Sequence, residues 1–482
     1  MKNKDYILPD IKEARRRNNA EAIKRVVFEV DEKYKELGKD KKYFIKTHGC
    51  QANFRDSETI AGLLDSLSYV SCDKEEDADL ILINTCAVRE GAEDKVFGEI
   101  GALKRLKSDN PSLLIGLCGC MAQEEKIVNT ILDKYRQVDI IFGTHNITSL
   151  PNMLYDIYTS RKKKAIEVYS KQGEVIENVP VTRLAGHKAY VNIMYGCDKF
   201  CTYCIVPYTR GKERSRYLED VVKEVEELKN TGYKEVCLLG QNVNAYGKDL
   251  KLGYGFGDLL EAVSKTGINR IRFMTSHPWD FNDEMIDVIS RNKNICPYIH
   301  LPVQSGSNNI LKKMNRRYTI EEYKTLFDKL KNRLDNFAYT TDIIVGFPNE
   351  SDEDFKATLD IVDYCKYDNA FTFIYSKRAG TPAATMEDSI SREIKEQRLQ
   401  ELNKKVAYYA NMNNQKFKDK IVEVLVDGKS KKNDNVYSGY TVENKLVNFK
   451  GDDIKIGDLV NVKITEVMSF SLNGELVGKV VE

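Results

Sequence analysis

Short apolar runs recur along the first third of the chain, and segments with helical periodicity lie between them. The apolar runs are residues 43–47, 79–84, 113–117 and 138–142. The helical patterns include residues 57–67 and 92–107. Alternation of this kind predicts βαβ units around a parallel sheet that is covered on both faces. We therefore predict an α/β protein whose first domain, residues 43–160, is a flavodoxin-like parallel sheet.

A second alternating series follows an irregular basic stretch, residues 161–182, which we interpret as a linker. Its apolar runs are residues 189–194, 235–239, 270–275, 298–302, 341–345 and 370–375. A helical segment, residues 391–410, ends the series. Six βα units predict a partial (βα)6 barrel of the TIM type, because a closed eight-fold barrel needs about 250 residues. The predicted barrel domain covers residues 183–412.

The two ends of the chain have different patterns. Residues 413–482 show short strand patterns at 421–426, 459–467 and 476–481, with turn signals at Asp427-Gly428 and Asn473-Gly474. They predict a small antiparallel β-barrel of the OB-like kind that holds oligonucleotides. Residues 1–42 form a charged extension with a helical pattern from about residue 11 to residue 37.

Composition narrows the class of protein without identifying a partner. Apolar residues make up 42% of the chain, charged residues 30%, and the net charge is +1. No apolar run is long enough to span a bilayer, and the N-terminus lacks a signal-peptide core, so we expect a cytoplasmic protein without a membrane segment. Reduced thiols and metal ligands are then the expected state of its eleven cysteines.

Cys197, Cys201 and Cys204 have the spacing C-x3-C-x2-C. Zinc sites favour paired C-x2-C units, whereas three thiolates on a four-iron cluster leave one iron open for a small molecule. The motif follows the first strand of the predicted barrel, on the face where the active sites of such barrels lie. We predict an open [4Fe-4S] cluster here; a zinc site and three neighbouring buried thiols are the alternatives.

Cys50, Cys86 and Cys120 each follow an apolar run, at intervals of 36 and 34 residues. The carboxyl ends of parallel strands share one edge of a sheet, so cysteines far apart in sequence can converge there. We predict a second cluster on these three thiols, against the alternative of buried structural cysteines. Cys118 is expected on the same strand face as Cys120, and Cys120 is preferred because it ends the strand.

Several longer stretches carry a family resemblance. They are NTCAVRE (84–90), CTYCIVPYTRG (201–211), LLGQNVNAYG (238–247), TSHPWD (275–280), HLPVQSGS (300–307) and TDIIVGFPNE (341–350). The cysteine motif resembles the radical S-adenosylmethionine superfamily, and the whole of residues 43–482 resembles its methylthiotransferases, in particular the MiaB-type branch. The resemblance identifies the tail as a TRAM domain. Asn349 and Gly91 depart from the residues usual in that branch and affect only local turns.

The resemblance implies an enzyme that methylthiolates C2 of N6-dimethylallyladenosine (isopentenyladenosine) at position 37 of tRNA. It implies two [4Fe-4S] clusters and two molecules of S-adenosylmethionine, one as methyl donor and one as radical source. The implied partners are tRNA and a low-potential donor of the flavodoxin or ferredoxin type, and we expect a monomer. Alternative substrates are threonylcarbamoyladenosine in tRNA and a ribosomal protein aspartate; a non-catalytic iron–sulfur RNA-binding protein is the alternative from another class.

Polar residues at the ends of barrel strands are the candidates for holding S-adenosylmethionine and the base. They are Gln241, Asn242, Ser276, Gln304, Ser305 and Asp342. Basic residues beside the mouth of the barrel are candidates for RNA contact, since single-stranded loops are bound through phosphates and stacked bases. They are Arg210, Lys212, Arg214, Arg216, Lys312, Lys313, Arg316 and Arg317. The alternatives are helix caps for the first set and solvated surface charge for the second.

Overall fold

The computed structural model describes residues 24–87, 92–168, 174–430 and 433–480, and a six-stranded parallel sheet organises the first of its domains. The early strands are β1 (Lys24–Val27), β2 (Lys42–His48), β3 (Val70–Ser71), β4 (Leu80–Thr85), β5 (Leu114–Gly119), β6 (Ile140–Phe142), β7 (Ala165–Glu167) and β8 (Glu174–Glu177). The sheet has the order β3-β2-β4-β5-β6-β7. Its helices are α1 (Gln51–Ser66), α2 (Ala92–Asp109), α3 (Glu125–Lys134) and α4 (Leu150–Tyr158).

Both faces of this sheet are buried. Residues of α1 and α4 pack on one face, and residues of α2 and α3 pack on the other. Every residue of β4 and β5 is buried, which explains why these strands are continuous apolar runs without alternation. The predicted flavodoxin-like domain is confirmed.

The predicted extension and linker are more ordered than their sequences indicate. β1 pairs in parallel with β8, so a segment assigned to a helix and a segment assigned to an irregular linker form a two-stranded sheet. β7, also in the predicted linker, is the edge strand of the six-stranded sheet. Strands of three or four residues are too short to show a period in charged sequence. Residues 28–37 of the predicted N-terminal helix contain only a single 3-10 turn, Glu32–Tyr34, so that part of the prediction is wrong. Residues 11–23 of that helix, and residues 88–90 of the resembling stretches, lie outside the described residues.

The central domain is a partial barrel. Its strands are β9 (Lys188–Asn192), β10 (Met194–Tyr195), β11 (Arg214–Ser215), β12 (Glu235–Leu239), β13 (Arg270–Phe273), β14 (Tyr298–His300), β15 (Ala338–Val345) and β16 (Asn369–Ile374). The two main sheets, β13-β12-β9 and β14-β15-β16, are each parallel, and an isolated bridge between Ile271 and Ile295 links them. β9 and β16 are the outer strands, so the barrel is open between them, as predicted.

The first helix of this domain, α5 (Val206–Thr209), packs against the first domain. The helices that cover the outside of the barrel are α6 (Leu218–Asn230), α7 (Phe256–Lys265), α8 (Asp283–Arg291), α9 (Asn308–Lys313), α10 (Ile320–Arg333), α11 (Asp352–Cys365) and α12 (Arg392–Asn414). None of the helices in the described parts of the chain combines the length and the apolar character that crossing a bilayer requires.

The tail forms a closed five-stranded barrel in the order β17-β18-β19-β21-β20. Its strands are β17 (Ile421–Ser430), β18 (Asn433–Thr441), β19 (Leu446–Lys450), β20 (Leu459–Val467) and β21 (Leu472–Lys479). The barrel was predicted correctly, but both turn signals were wrong. Gly428 lies at an irregularity within β17, and Gly474 lies in β21, where an added Cβ would come within 2.5 Å of the Lys463 carbonyl. Bulges and close strand contacts also select glycine.

The small barrel docks on the amino end of the partial barrel. Arg270 donates to the Tyr440 carbonyl at 3.0 Å, and Arg272 donates to the carbonyls of Thr441 and Val442 at 2.7 and 2.8 Å. Both arginines lie on β13 and are buried. The carboxyl end of the partial barrel, where active sites of this fold lie, is therefore left to the cysteine loops.

A buried network of charges joins the first domain to the barrel. Glu224 on α6 contacts Arg216 at 2.5 Å, Arg183 at 2.6 Å and Arg55 of α1 at 3.2 Å. Burial would raise the pKa of Glu224, but the charges of the three arginines hold it at about 2. Arg216 forms a second, bidentate pair with Glu177 of β8 at 2.7 Å. The network fixes α1, α6 and the β1–β8 pair together.

Replacing Glu224 with alanine is expected to lower the free energy of unfolding by about 3–5 kcal/mol, because three buried guanidinium groups lose a shared partner. Urea denaturation of the full chain measures the change. Glu227→Ala is the matched control: its side chain, on the same helix, is 66% exposed and pairs with Lys223 at 3.9 Å. That change should stay within about 0.5 kcal/mol, and equal losses for both variants would contradict the role given to Glu224.

Candidate functional site

The register of the parallel sheet brings Cys50, Cys86 and Cys120 to one edge. His48 of β2 is level with Thr85 of β4, and Thr85 is level with Gly119 of β5. The three cysteines come one or two residues after these positions. The Cys120 amide also donates to the Thr85 carbonyl at 2.8 Å, which extends the pairing by one residue.

The three thiols interact with one another. A hydrogen bond from Cys86 lowers the pKa of the Cys50 thiol to about 5, and the positive charge of Arg210 acts in the same direction. Burial raises the pKa of the Cys120 thiol, Arg210 opposes that effect, and the charge of Cys50 adds to it. The thiols are therefore close enough to act as one set of donors.

Side chains around the three cysteines fix their loops without help from a ligand. Asn53 donates to Asn84 Oδ1 and to the Thr85 carbonyl, both at 3.2 Å, and Asn84 donates back to the Asn53 carbonyl at 2.8 Å. Gly119 adopts φ 91°, and a Cβ at this position would lie 2.3 Å from Asn84 Oδ1. Only glycine fits this turn, which directs the chain from β5 into Cys120.

Cys118 does not share a face with Cys120, which corrects the expectation from strand alternation. The left-handed turn at Gly119 ends the strand between the two residues. Cys118 packs among side chains of α1 and α4, whereas Cys120 packs among those of α2 and α3. The Cys118 thiol donates to the Ile83 carbonyl at 3.6 Å, so it belongs to the core.

Cys197, Cys201 and Cys204 lie on the loop that follows β10, at the carboxyl end of the partial barrel. The Cys197 amide donates to the Gly211 carbonyl, and the Cys204 amide donates to the Cys201 carbonyl, both at 3.0 Å. Burial raises the pKa of the Cys204 thiol to about 12, and the charge of Cys201 adds to the effect. Burial also raises the pKa of the Cys197 thiol, with smaller contributions from Glu213, Cys201 and Cys204.

Within the described residues no three His, Cys, Asp or Glu side chains converge on one point as ligands of a single metal ion do. A cluster makes a different demand, because each thiolate of a four-iron cluster binds a different iron. Two sets of three neighbouring thiols, without carboxylate or imidazole partners at one point, fit that donor set. The chemistry of the donors therefore fits two clusters with one open iron each.

The loop of the second trio continues into the core of the first domain. Phe200, Ile205 and Tyr208 pack in the same hydrophobic cluster as Cys120 and Met121. Thr144, in the first domain, also donates to the Thr209 carbonyl at 2.6 Å. The two cysteine sets are thus built into one packed region.

Three buried polar atoms at the mouth of the partial barrel have no hydrogen-bond partner among the described residues. They are Asn242 Oδ1, Ser276 Oγ and His277 Nε2. His277 Nδ1 accepts from the Trp279 amide at 3.2 Å, and burial, together with the charge of Arg316, lowers the pKa of its ring to about 2. The ring is therefore neutral and presents an N–H at Nε2. One acceptor, one hydroxyl and one donor fit a polar cofactor such as S-adenosylmethionine.

The other predicted cofactor residues have different surroundings. Gln241 Oε1 accepts from the Gly196 amide at 2.5 Å and so holds the loop that carries Cys197. Ser305 is fully buried, and its Oγ accepts from the Ser307 amide at 3.2 Å, which makes it part of the start of α9. Gln304 is buried at φ 68°, and Asp342 Oδ1 lies 3.4 Å from His300 Nε2. Cofactor binding by Gln241 and Ser305 is not supported by these contacts.

Five of the eight basic residues predicted to contact RNA are inside the protein. Arg210, Lys212, Arg214, Arg216 and Arg316 are each no more than 7% exposed. Arg216 is paired with Glu177 and Glu224, Arg210 pairs with Asp56 at 2.6 Å, and Arg316 Nη1 lies 3.5 Å from Cys201 Sγ. Buried guanidinium groups engaged in this way are not presented to a phosphate, and the expectation is corrected for them. Lys312 and Arg317 are exposed and Lys313 is half-buried.

One residue of the mouth, Asp280, was not singled out by the sequence. Asp280 accepts from Asn242 at 2.7 Å and forms ion pairs with Lys199 at 2.7 Å and Lys248 at 2.6 Å. His277 and Asp280 both lie in the stretch 275–280, directly after β13. That stretch was noted for its resemblance, and its position at the end of a strand was the available signal.

Three family models match consecutive parts of the chain. The Radical SAM superfamily matches residues 191–362, Uncharacterized protein family UPF0004 matches residues 42–143, and the TRAM domain matches residues 415–477. Two solved structures of the radical S-adenosylmethionine methyltransferase TsrM from Kitasatospora setae are similar in fold. The first gives a TM-score of 0.52 at 15% identity and the second a TM-score of 0.51 at 14% identity. Each match covers 71% of this chain, and the matches cover 75% and 77% of the two solved chains, respectively.

The fold and the cysteine loops thus define a radical S-adenosylmethionine protein. Proteins of Staphylococcus aureus strains MRSA252 and JH9 named tRNA-2-methylthio-N(6)-dimethylallyladenosine synthase are 56% identical over 476 residues, covering 98% of this chain and 92% of theirs. The chain belongs to the family of tRNA-2-methylthio-N(6)-dimethylallyladenosine synthases. Membership in this family implies [4Fe-4S] clusters and S-adenosylmethionine as cofactors.

Replacing Gly119 with alanine is expected to reduce the iron that the first trio retains, because the new Cβ would displace Asn84 or the Cys120 turn. Iron per chain after anaerobic reconstitution measures the loss. Gly98→Ala is the control: Gly98 lies in α2, and a Cβ there meets nothing within 4 Å. Full iron content in Gly119→Ala would contradict the role of this turn.

Proposed function

We propose that this protein methylthiolates C2 of N6-dimethylallyladenosine at position 37 of tRNA, beside the anticodon. The observation that carries the proposal is that Ile205 and Tyr208, which follow the second cysteine trio, lie in the same hydrophobic cluster as Cys120 of the first. A substrate at the mouth of the barrel is then within reach of both trios. The relatives from Staphylococcus aureus bear the name of this activity.

Each cysteine trio has its own task in this proposal. Cys50, Cys86 and Cys120 would hold the cluster that supplies sulfur, and Cys197, Cys201 and Cys204 would hold the cluster whose electron opens S-adenosylmethionine to radical chemistry. The rigid loops that carry the thiols keep the two sets in a fixed relation. The hydrogen bonds of Asn53 and Asn84 serve the first trio, and that of Gln241 serves the second.

S-adenosylmethionine would be held by Asn242, Ser276 and His277. Their buried, unpartnered atoms offer one acceptor, one hydroxyl and one neutral N–H. An unpaired buried polar atom costs about 1–3 kcal/mol, so a bound ligand that satisfies these atoms recovers stability as it binds. Asp280 would orient Asn242, since it fixes which end of the amide faces the mouth.

The modified base would enter through the open side of the barrel. Phe371 of the outer strand β16 is 46% exposed, and its ring makes an edge contact with His300 at 5.9 Å. Aromatic faces of this kind stack on splayed RNA bases. Lys312 and Arg317, which are exposed, and Lys313, which is half-buried, would contact phosphates, since they follow β14 at the carboxyl end of the barrel.

A donor of the flavodoxin or ferredoxin type would supply the electrons, because reductive cleavage needs a low-potential source. We propose that the chain works in the cytoplasm as a monomer.

The test is incubation of the reconstituted protein with S-adenosylmethionine, dithionite and tRNA that carries N6-dimethylallyladenosine. Nucleoside digests should contain the 2-methylthio derivative, together with 5′-deoxyadenosine and S-adenosylhomocysteine. A threonylcarbamoylated tRNA serves as the competing substrate. Turnover of that tRNA alone, or of neither, would reject the proposed activity.

Two cysteine variants separate the two trios in the same assay. Cys201→Ala is expected to abolish release of 5′-deoxyadenosine, because the cluster that cleaves S-adenosylmethionine loses a ligand. Cys86→Ala is expected to retain cleavage and to lose methylthiolation. Identical behaviour of the two variants would contradict the division of tasks.

Replacing Lys312, Lys313 and Arg317 together with glutamine is expected to weaken tRNA binding and its salt dependence. Each lost phosphate contact on a single-stranded region lowers the logarithmic salt slope by about 0.7. The control variant replaces Lys223, Lys265 and Arg291, whose side chains are 76%, 72% and 56% exposed on the outer helices. Equal slopes for the two triple variants would move the RNA surface elsewhere.

A further inference from the structure

Arg210 belongs to the barrel domain but lies in the interior of the first domain. It follows α5, the short helix after Cys204, and it is 6% exposed. Its guanidinium donates to Asp56 Oδ2 at 2.6 Å, and the two residues are 154 positions apart. Asp56 lies on α1, whose N-cap residue is Cys50. Arg210 thus crosses from the loop of one cysteine trio to the helix that begins at the other.

The pair with Asp56 leaves donors of Arg210 for the thiols. A guanidinium has five N–H groups, and one carboxylate oxygen accepts a single bond here. Ile205 and Tyr208, on the same short segment as Arg210, pack in the hydrophobic cluster that contains Cys120. Arg210 is therefore a buried cation in the region where the first cysteine trio lies.

A positive group beside thiolates has a definite electrostatic consequence. The potential of an iron–sulfur cluster depends on its net charge, on hydrogen bonds to its sulfurs and on its exposure to solvent. In a buried region the effective dielectric constant is low, so a nearby fixed charge is felt more strongly than at the surface. Adding an electron to a cluster on Cys50, Cys86 and Cys120 would be favoured by the neighbouring cation.

The neighbouring arginine on α1 makes a useful contrast. Arg55 is also buried, but its partners are Glu224 at 3.2 Å and Thr59 at 2.9 Å. Adjacent residues of one helix therefore have different roles: Arg55 joins the domains through charge pairs, and Asp56 holds Arg210 near the thiols.

We propose that Arg210 is a positioning residue that the barrel domain contributes to the cluster site of the first domain, where it raises the reduction potential of that cluster. Because this inference rests on the proposed function only through the presence of a cluster on Cys50, Cys86 and Cys120, it can be tested apart from tRNA modification. Loss of the Arg210 side chain would change the electron affinity of the cluster before it changed the fold of either domain.

The test uses the full chain with Cys197, Cys201 and Cys204 replaced by alanine, so that the remaining iron belongs to the first trio. Anaerobic reconstitution is followed by iron and sulfide counting and by a redox titration monitored by electron paramagnetic resonance. About four irons per chain are expected. Absence of iron in this parent would defeat the proposed function itself, and the titration would then have no cluster to report.

Four variants and one control in this parent test the inference. Arg210→Gln should shift the midpoint potential to more negative values, and Arg210→Lys should shift it less because it keeps the charge. Asp56→Asn should shift it to more positive values, and the double variant Arg210→Gln/Asp56→Asn should return toward the parent. Arg55→Gln, which removes a buried charge from the same helix on the other side, should leave the midpoint unchanged.

The outcome that overturns the inference is an unchanged midpoint in Arg210→Gln with full iron content. If that variant fails to retain iron, Arg210→Lys and Asp56→Asn decide the matter, since each preserves one half of the pair. Shifts of the same sign in Arg210→Lys and Asp56→Asn, or a shift in Arg55→Gln as large as theirs, would also reject it.

Discussion

The short segment from Cys204 to Gly211 is the constraint on which the arrangement of the site depends. It belongs to the barrel by sequence and to the first domain by packing, because Ile205 and Tyr208 lie in the same core cluster as Cys120. The Gly211 carbonyl then accepts from the Cys197 amide, which returns the chain to the second trio. One segment thus fixes two sets of thiols that originate in different domains.

The buried charges around this segment act mainly as alignment devices. Buried ion pairs contribute little net stability relative to apolar packing, but removal of one partner is costly. Glu224 with its three arginines, and Arg210 with Asp56, therefore penalise any other relation between α1 and the barrel. Radical chemistry needs this fixed relation between the two domains, since a reactive intermediate must meet its intended partner before any other group.

The sequence was sufficient for the topology and for the convergence of each cysteine set. Strand ends meet at one edge of a parallel sheet, so positions after apolar runs locate Cys50, Cys86 and Cys120 without any knowledge of side-chain contacts. It was insufficient for Arg210, Arg216 and Arg316, which were read as RNA contacts. An arginine that is solvated and one that pairs across 154 positions look the same in a sequence, because the partner is chosen by tertiary packing. The pairing of β1 with β8 was missed for the same reason.

The basic residues around the site fall into a buried group and an exposed group. The arginines nearest the thiols are withdrawn from solvent and paired within the protein, and Lys312 and Arg317 remain exposed. A tRNA phosphate brought to the thiols would add negative charge where thiolates already repel one another. In the function that we propose, the buried arginines act on the sulfur sites, and the exposed pair, Lys312 and Arg317, would contact the nucleic acid at the rim. The near-zero net charge of the chain is therefore compatible with RNA binding, because the charge that matters is local.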